Sequence, residues 1–592
     1  MSTKSQVKIC VDCKNEFEID SGDLNLYEKV GLKIPEQCFF CRLKQYAAFW
    51  VFGKFRKGVS NLSGESLITV LPSTARYPIY KSHEWWGDAW NPIDFGQDYD
   101  PSKPFFEQLK ELQEKIPHPH QVGKNNTNCD WCDDIWFSRN CYLTRAAFKC
   151  ENLSYGYRVI GSKDSFDLTL SFNLQNSYDC LECHDSFNLS FSENSRDCID
   201  SYFLYDCRNC QNCFMCWNLR NKRYFIRNKQ YTKDQYEKEI KNIKLNSHKE
   251  LKFLKDEYNN ILKNLAVHRE NFNLKTTNST GNYLTNCDKC INVFAYEDSQ
   301  NCRNQLRGLS NKDCIDQMGI FGTTEISGSN SCVYYSYGMK NSNWSSGRYS
   351  EYLEICDEVE YCFGCIGLRK KKYCILNKQY SKKEYEEITK KLRKHMYDMP
   401  YTGVKGRVYK YGEFFPPEFS PWSYNETLAQ EYFPLTKEQA KGEGYRWRDP
   451  DTKNYVPTIL SEDIPNDITS TGDAITDEVL ECAHKMRCNQ GCTKAFRILS
   501  NELQFYRKIG VSLPILCPAC RTLERLKMRL GVELYDRSCM CAGENDDTRQ
   551  YKNEVAHLHH DKKRCEEKFK TGYSPEEKDI VYCEQCYQQE VY

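Results

Sequence analysis

The sequence predicts a multidomain, mainly β protein with helices, in which terminal four-cysteine modules flank a duplicated, irregular parallel β-solenoid middle with capping helices. Three observations carry this expectation. The same four-cysteine pattern occurs near both ends of the 592-residue chain, with 24 residues between its two inner cysteines each time. Residues 213–236 and 362–385 match at 14 of 24 positions, so the middle is a tandem duplication. Short alternating stretches (Phe166, Leu168, Leu170, Phe172, Leu174) are broken every few residues by Asn, Ser or Asp. Very short strands with turn residues at each corner read this way.

Composition narrows the classes. The 82 basic and 82 acidic side chains balance, which argues against a polyanion-binding surface over the whole chain but not against a local basic patch. No run of 18 apolar residues is present, so no membrane helix is expected. The start, MSTKSQVKICVDCK, has no apolar leader segment. With 34 cysteines, the expectation is a cytoplasmic, reducing setting and thiolate chemistry, not a disulfide framework.

Residues 1–58 form the first module, with Cys10, Cys13, Cys38 and Cys41; residues 481–532 form the second, with Cys488, Cys492, Cys517 and Cys520. Aligning 13–42 with 492–521 gives 12 identities in 30 positions, among them Phe17/Phe496, Tyr27/Tyr506, Gly31/Gly510 and the closing Cys-Arg. Two thiolates from a tight knuckle and two from a distant one close the tetrahedral shell that Zn²⁺ prefers, with no position left for water. Each is therefore read as a zinc ribbon whose ion is structural and replaces a core too small to form alone.

Residues 533–592 are read as a third zinc-binding module. Cys583 and Cys586 form a knuckle, Cys565 supplies a third thiolate, and either Cys539 or Cys541 completes the shell. The intervening His557, His559 and His560 read as solvated residues of a charged insertion. Residues 59–125 are a linker with one helix and a degenerate, metal-free copy of this module. Aligning Tyr80 with Tyr582 and Thr69 with Thr571 puts Ser63, Lys81 and Glu84 where Cys565, Cys583 and Cys586 stand. The helix starts near Ser102 and Pro104, buries Phe105, Phe106, Leu109 and Leu112, and stops at Pro117. Trp85, Trp86 and Trp90 read as packing anchors.

The solenoid units span 126–272 and 280–397. Each ends in a helix with a capping box, Thr232/Gln235 and Ser381/Glu384. Cys207, Cys210, Cys213 and Cys216 admit three readings: solenoid core or turn cysteines, a metal knuckle, or an iron–sulfur cluster. On a strand, a spacing of three alternates faces, which places Cys207 and Cys213 opposite Cys210 and Cys216. Residues 398–480 form a Pro/Tyr-rich connector with a helix near 436–442, and a regular helix is expected over about 473–485.

The segments ICVDCKNEFEI, YKYGEFFPPEFSPWSYNET, AFRILSNELQFYRKIGVSLPILCPACR and YCEQCYQQEVY resemble a family of uncharacterised zinc-ribbon proteins from small-genome, candidate-phylum bacteria. The resemblance implies zinc at the eight cysteines of the two ribbons and a knuckle at Cys583 and Cys586. It implies no activity.

For function, the expectation is a zinc-stabilised, non-catalytic binding or scaffold protein with a protein partner. The chain has no HExxH, no P-loop and no Gly-rich dinucleotide motif. The alternative is nucleic-acid binding through the basic second ribbon, where Lys494, Arg497, Arg507, Lys508, Arg521, Arg525, Lys527 and Arg529 face only Glu502 and Glu524. His184 beside Cys183, or His83 beside Glu84, forms no catalytic set on sequence grounds.

Overall fold

The computed structural model describes residues 5–51, 54–330, 336–449, 456–488, 491–543, 553, 555–560 and 563–592. The chain divides into two compact units: Met1–Gln121 with Asn271–Asp449, and Val122–Glu270 with Pro450–Tyr592. Each is mainly β with helices, and each combines a ladder of parallel strands with cysteine groups from one chain terminus.

The longer ladder lies in the second unit. Its strands pair in parallel with partners twelve residues apart: Glu151 with Lys163, Phe187 with Ile199, Ile199 with Gln211, Gln211 with Arg223. The backbone explains this register. Asn173, Asn176, Asp179, Glu182, Asp185, Asn188 and Phe191 all have φ between 49° and 56°, a left-handed corner at every third residue. Asn and Asp enter that region more readily than other non-glycine residues, hence the Asn/Asp-rich text.

A corner every three residues turns every third side chain to one interior. Cys180, Cys183, Ser186, Leu189, Ser192, Ser195 and Cys198 are all buried there. The interior serines are satisfied. Ser171 Oγ donates to the Thr169 carbonyl (2.9 Å) and accepts from the Cys183 N–H (3.2 Å). The expected alternation at Cys207, Cys210, Cys213 and Cys216 is corrected by the same geometry. All four are buried in one core, each thiol aimed at the carbonyl two residues earlier, at 3.3–3.5 Å. Outside, Asn128, Asn140, Asn152 and Asp164 form a ladder of side-chain bonds at 2.7–3.0 Å.

The far edge of this ladder is closed locally. Arg223–Ile226 turns back on Lys229–Gln230, and the Asn228 amide bonds both the N–H (3.0 Å) and the carbonyl (2.9 Å) of Trp217, which blunts an otherwise open edge. Helix Lys233–Asn242 then starts at the Thr232/Gln235 capping box. Helix His248–Asn264 buries Leu251, Leu254, Tyr258 and Ile261, and the Tyr258 hydroxyl donates to the Leu204 carbonyl at 2.9 Å.

The first unit follows the same rules. Ile291–Glu297, Arg303–Leu309 and Ile315–Phe321 pair at offsets of twelve, with some later bridges at thirteen and eleven (Ser327 with Lys340, Lys340 with Glu351). Tyr349, Tyr361 and Tyr373 stack at 5.1 and 5.4 Å. Asn377 closes the edge as Asn228 does, bonding both backbone groups of Ile366 at 2.8 Å. Helix Lys382–Asp398 follows its Ser381/Glu384 capping box. Helix Phe105–Lys115 buries the expected apolar residues, Phe105 and Phe106 meeting Tyr352 edge-on. Trp85 is buried, its indole N–H on the Pro117 carbonyl at 2.9 Å.

The regular helix expected over 473–485 is not formed. A short 3₁₀ turn, Asp473–Thr476, leads to the strand Leu480–Glu481, which pairs with Ala495–Phe496. The chain must be extended there to present Cys482, as shown below. Among the described residues no helix is long and apolar enough to cross a membrane.

Candidate metal centres

The N-terminal module assembles from local signals. Gln6–Ile9 and Glu16–Ile19 form a hairpin, and Lys14 (φ 63°) takes the left-handed turn of the knuckle. Helix Ser21–Val30 ends at Gly31 (φ 69°), where other residues are strained. Cys38 is the N-cap of helix Phe39–Ala47. Cys10, Cys13, Cys38 and Cys41 converge so that their sulfurs lie within 4.8 Å of one another. Cys13 and Cys38 are 3.7 Å apart; sulfurs about 2.3 Å from one ion stand about 3.8 Å from each other. Hydrogen bonding from the Cys41 thiol, with burial opposing and the Cys41 N–H assisting, brings Cys38 down to about 5. That is the thiolate form a metal ligand needs.

The second ribbon repeats this plan with a different first ligand. Cys482, Cys492, Cys517 and Cys520 form the corresponding group. Cys482 occupies the place of Cys10: its N–H bonds Lys494 O at 2.8 Å as that of Cys10 bonds Asn15 O at 2.9 Å. Its sulfur accepts from the Cys517 N–H at 3.3 Å, as that of Cys10 does from Cys38. The assignment of Cys488 to this place is corrected. Strand pairing fixes Cys482 opposite the knuckle, and Cys488 lies on the insertion between, its sulfur 3.7 Å from that of Cys520. Cys517 caps helix Pro518–Lys527, and hydrogen bonding from Cys482 contributes most to bringing Cys492 down to about 6.

Each ribbon sends its closing arginine inward. Arg42 and the Tyr27 hydroxyl meet Asp316, Arg42 at 2.6 Å. In the second unit Arg521 Nε lies 3.0 Å from Asp167, Arg525 reaches Asp167 and Asp179 at 3.0 Å each, and Tyr155 and Tyr506 bond Glu502 at 2.8 and 2.7 Å. Arg521 and Arg525 are 8% and 2% exposed. The expectation that they form a nucleic-acid surface is therefore corrected: their charge is neutralised inside the unit. Arg507 pairs with Asp473 at 2.6 Å and Lys527 with Glu524 at 2.7 Å. Arg529 is partly buried.

In the C-terminal module the hairpin Tyr535–Ser538/Lys568–Thr571 and strand Ile580–Tyr582 bring Cys539, Cys565, Cys583 and Cys586 together. Cys583 caps helix Glu584–Val591. The open choice of fourth ligand falls to Cys539, whose sulfur accepts from the Cys583 N–H at 3.2 Å. Cys541 lies instead with His557 and His560. The reading of His557 as solvated is corrected, since it is 2% exposed, whereas His560 is half-buried and His559 is exposed as expected.

The matching module of the first unit keeps the frame without the thiols. Arg56–Val59 pairs with Ser66–Thr69, and Thr69 Oγ1 donates to His120 O at 2.6 Å as Thr571 Oγ1 does to Glu270 O. Ser60 donates to Glu84, which also accepts from the Lys81 N–H at 2.9 Å. Burial would raise the Glu84 carboxyl, but hydrogen bonds from Ser60, Ser63 and Lys81 hold it below its ordinary value. A carboxylate–hydroxyl cluster thus stands where the other copy places four thiols.

No protein-family model matches the chain, and no curated protein matches it. A solved structure returned by comparison is a putative acetyltransferase from Desulfovibrio desulfuricans G20. It is 8% identical over 48% of this chain and 84% of that one, with a TM-score of 0.10, too low to carry an argument.

Proposed function

We propose that the chain is a zinc-stabilised, non-catalytic scaffold or binding protein of the cytoplasm, similar to the zinc-ribbon family of candidate-phylum bacteria. In this reading each ladder is a narrow four-sided solenoid, three residues to a side. The twelve-residue register and the left-handed corner at every third position support it. The carrying observation is that both ribbons combine four sulfur donors with arginines directed into their own unit. Four-sulfur shells favour structural zinc over a reactive site, and the inward arginines spend their charge on docking. Extended solenoid faces suit a protein partner.

The test is polarisation with labelled single-stranded and duplex nucleic acids at low salt, using the zinc-loaded full chain. The scaffold reading predicts no salt-dependent binding. A salt slope lost on changing Lys527 and Arg529 to Glu would favour the nucleic-acid reading.

A further inference from the structure

The C-terminal module holds more donors than one ion can use. Beside the Cys539, Cys565, Cys583 and Cys586 group, a second set of four comprises Cys541, His557, His560 and Cys586. We infer that this module binds two metal ions, bridged by the Cys586 thiolate, with the second ion held by Cys541, His557 and His560.

The distances fit a second tetrahedron. Metal–sulfur and metal–nitrogen bonds of about 2.3 and 2.0 Å require ligand separations of about 3.5 Å for sulfur to nitrogen and about 3.3 Å for nitrogen to nitrogen. Cys541 Sγ lies 3.2 Å from His557 Nδ1 and 3.3 Å from His560 Nε2. The two ring nitrogens are 3.3 Å apart, and Cys586 Sγ is 3.4 Å from His560 Nε2.

Each ring is also held from behind. His557 Nε2 faces Glu590 Oε2 at 3.0 Å, and His560 Nδ1 faces Lys563 O at 2.7 Å. Such contacts fix the tautomer and aim the other nitrogen at a metal. Asn553 Nδ2 donates to Cys541 Sγ at 3.0 Å, and Tyr582 donates to Asn553 Oδ1 at 2.5 Å, so the surplus thiolate is oriented too. His559 lies outside this tetrahedron, exposed, its Nε2 3.3 Å from Cys586 and its Nδ1 accepting from Gln589 at 2.8 Å.

Charge points the same way. A second ion takes up the Cys541 sulfur and leaves His557 between it and the buried Glu590 carboxylate, so the negative groups at this end of the module face a cation. The second shell is filled by four protein ligands and is structural, tying the 557–560 segment to the module.

The experiment is native mass spectrometry of the reduced, zinc-loaded full chain, with ¹¹³Cd NMR of the cadmium-exchanged chain. One ion in each ribbon and two here make four ions, falling to three in the double variant H557N/H560N. One cadmium resonance from a sulfur–nitrogen environment is expected, apart from the all-sulfur ones. An unchanged ion count in the double variant would overturn the inference. If that variant fails to fold, the cadmium spectrum of the unaltered chain decides alone, and resonances from all-sulfur environments only would overturn it.

Discussion

Asp167 is the anchor of the second ribbon, and Asp167→Asn isolates its charge. Asparagine matches its shape and accepts the same left-handed corner (φ 56°), so packing and backbone stay as they are. The carboxylate is fully buried and lies 3.0 Å from both Arg521 Nε and Arg525 Nη2. At an effective dielectric of about 20, each such pair is worth about 4 kcal/mol before desolvation. The full sum is not lost, because Arg525 keeps Asp179 and Arg521 keeps Glu502. The expected loss is about 3 kcal/mol, the scale for breaking one buried ion pair. Calorimetry of the zinc-loaded full chain reads this as a fall of roughly 6 °C in one transition. A shift below about 1 °C for Asp167→Asn would refute the docking argument.

Asn377→Ala removes two edge-closing bonds to Ile366; about 2 kcal/mol of stability should go, seen in urea unfolding, with increased self-association by light scattering. Cys210→Ser should leave metal content unchanged and cost less than about 1 kcal/mol, because serine already fills equivalent interior positions such as Ser171 and Ser195; mass spectrometry and thermal unfolding check both. Burial, with Arg196 and Arg208 adding, pushes His184 down to about 3. Below about pH 6.5 the unfolded chain takes up a proton that the folded one refuses, so stability present at neutral pH is lost as pH falls. By pH 5 this should amount to about 2 kcal/mol, absent from His184→Phe, in thermal unfolding compared at pH 7 and 5. Cys38→Ser should release one zinc ion and lower the unfolding temperature, since three sulfurs cannot close the shell; equal zinc content would contradict it.

The cysteine knuckles were legible because ligand spacing is a local property. Cys10, Cys13, Cys38 and Cys41 converge as their spacing predicts. Cys482 was missed because an insertion separates it from Cys492, and only the pairing of Leu480 with Phe496 reveals its place. The ladder interior was misread by applying a period of two to a chain that turns at every third residue. Small or apolar residues at 180, 183, 186, 189, 192, 195 and 198 carried that signal in plain view. Charge counting called Arg521 and Arg525 a surface, whereas the Cys-Arg closure shared with Arg42 was the sign of a common docking role. The degenerate module was visible in Thr69 and Tyr80, whose partners Thr571 and Tyr582 hold matching places in the intact copy.

The central claim is that metal at the chain termini clasps the parallel ladders. Hydrogen exchange on the zinc-loaded and metal-stripped full chain, both reduced, tests it most directly. The account predicts that stripping abolishes amide protection across the described residues of 8–48, 480–527 and 535–591, while interior ladder amides such as Cys183 and Leu204 keep theirs. Unchanged protection in the three terminal segments after complete metal removal would contradict it.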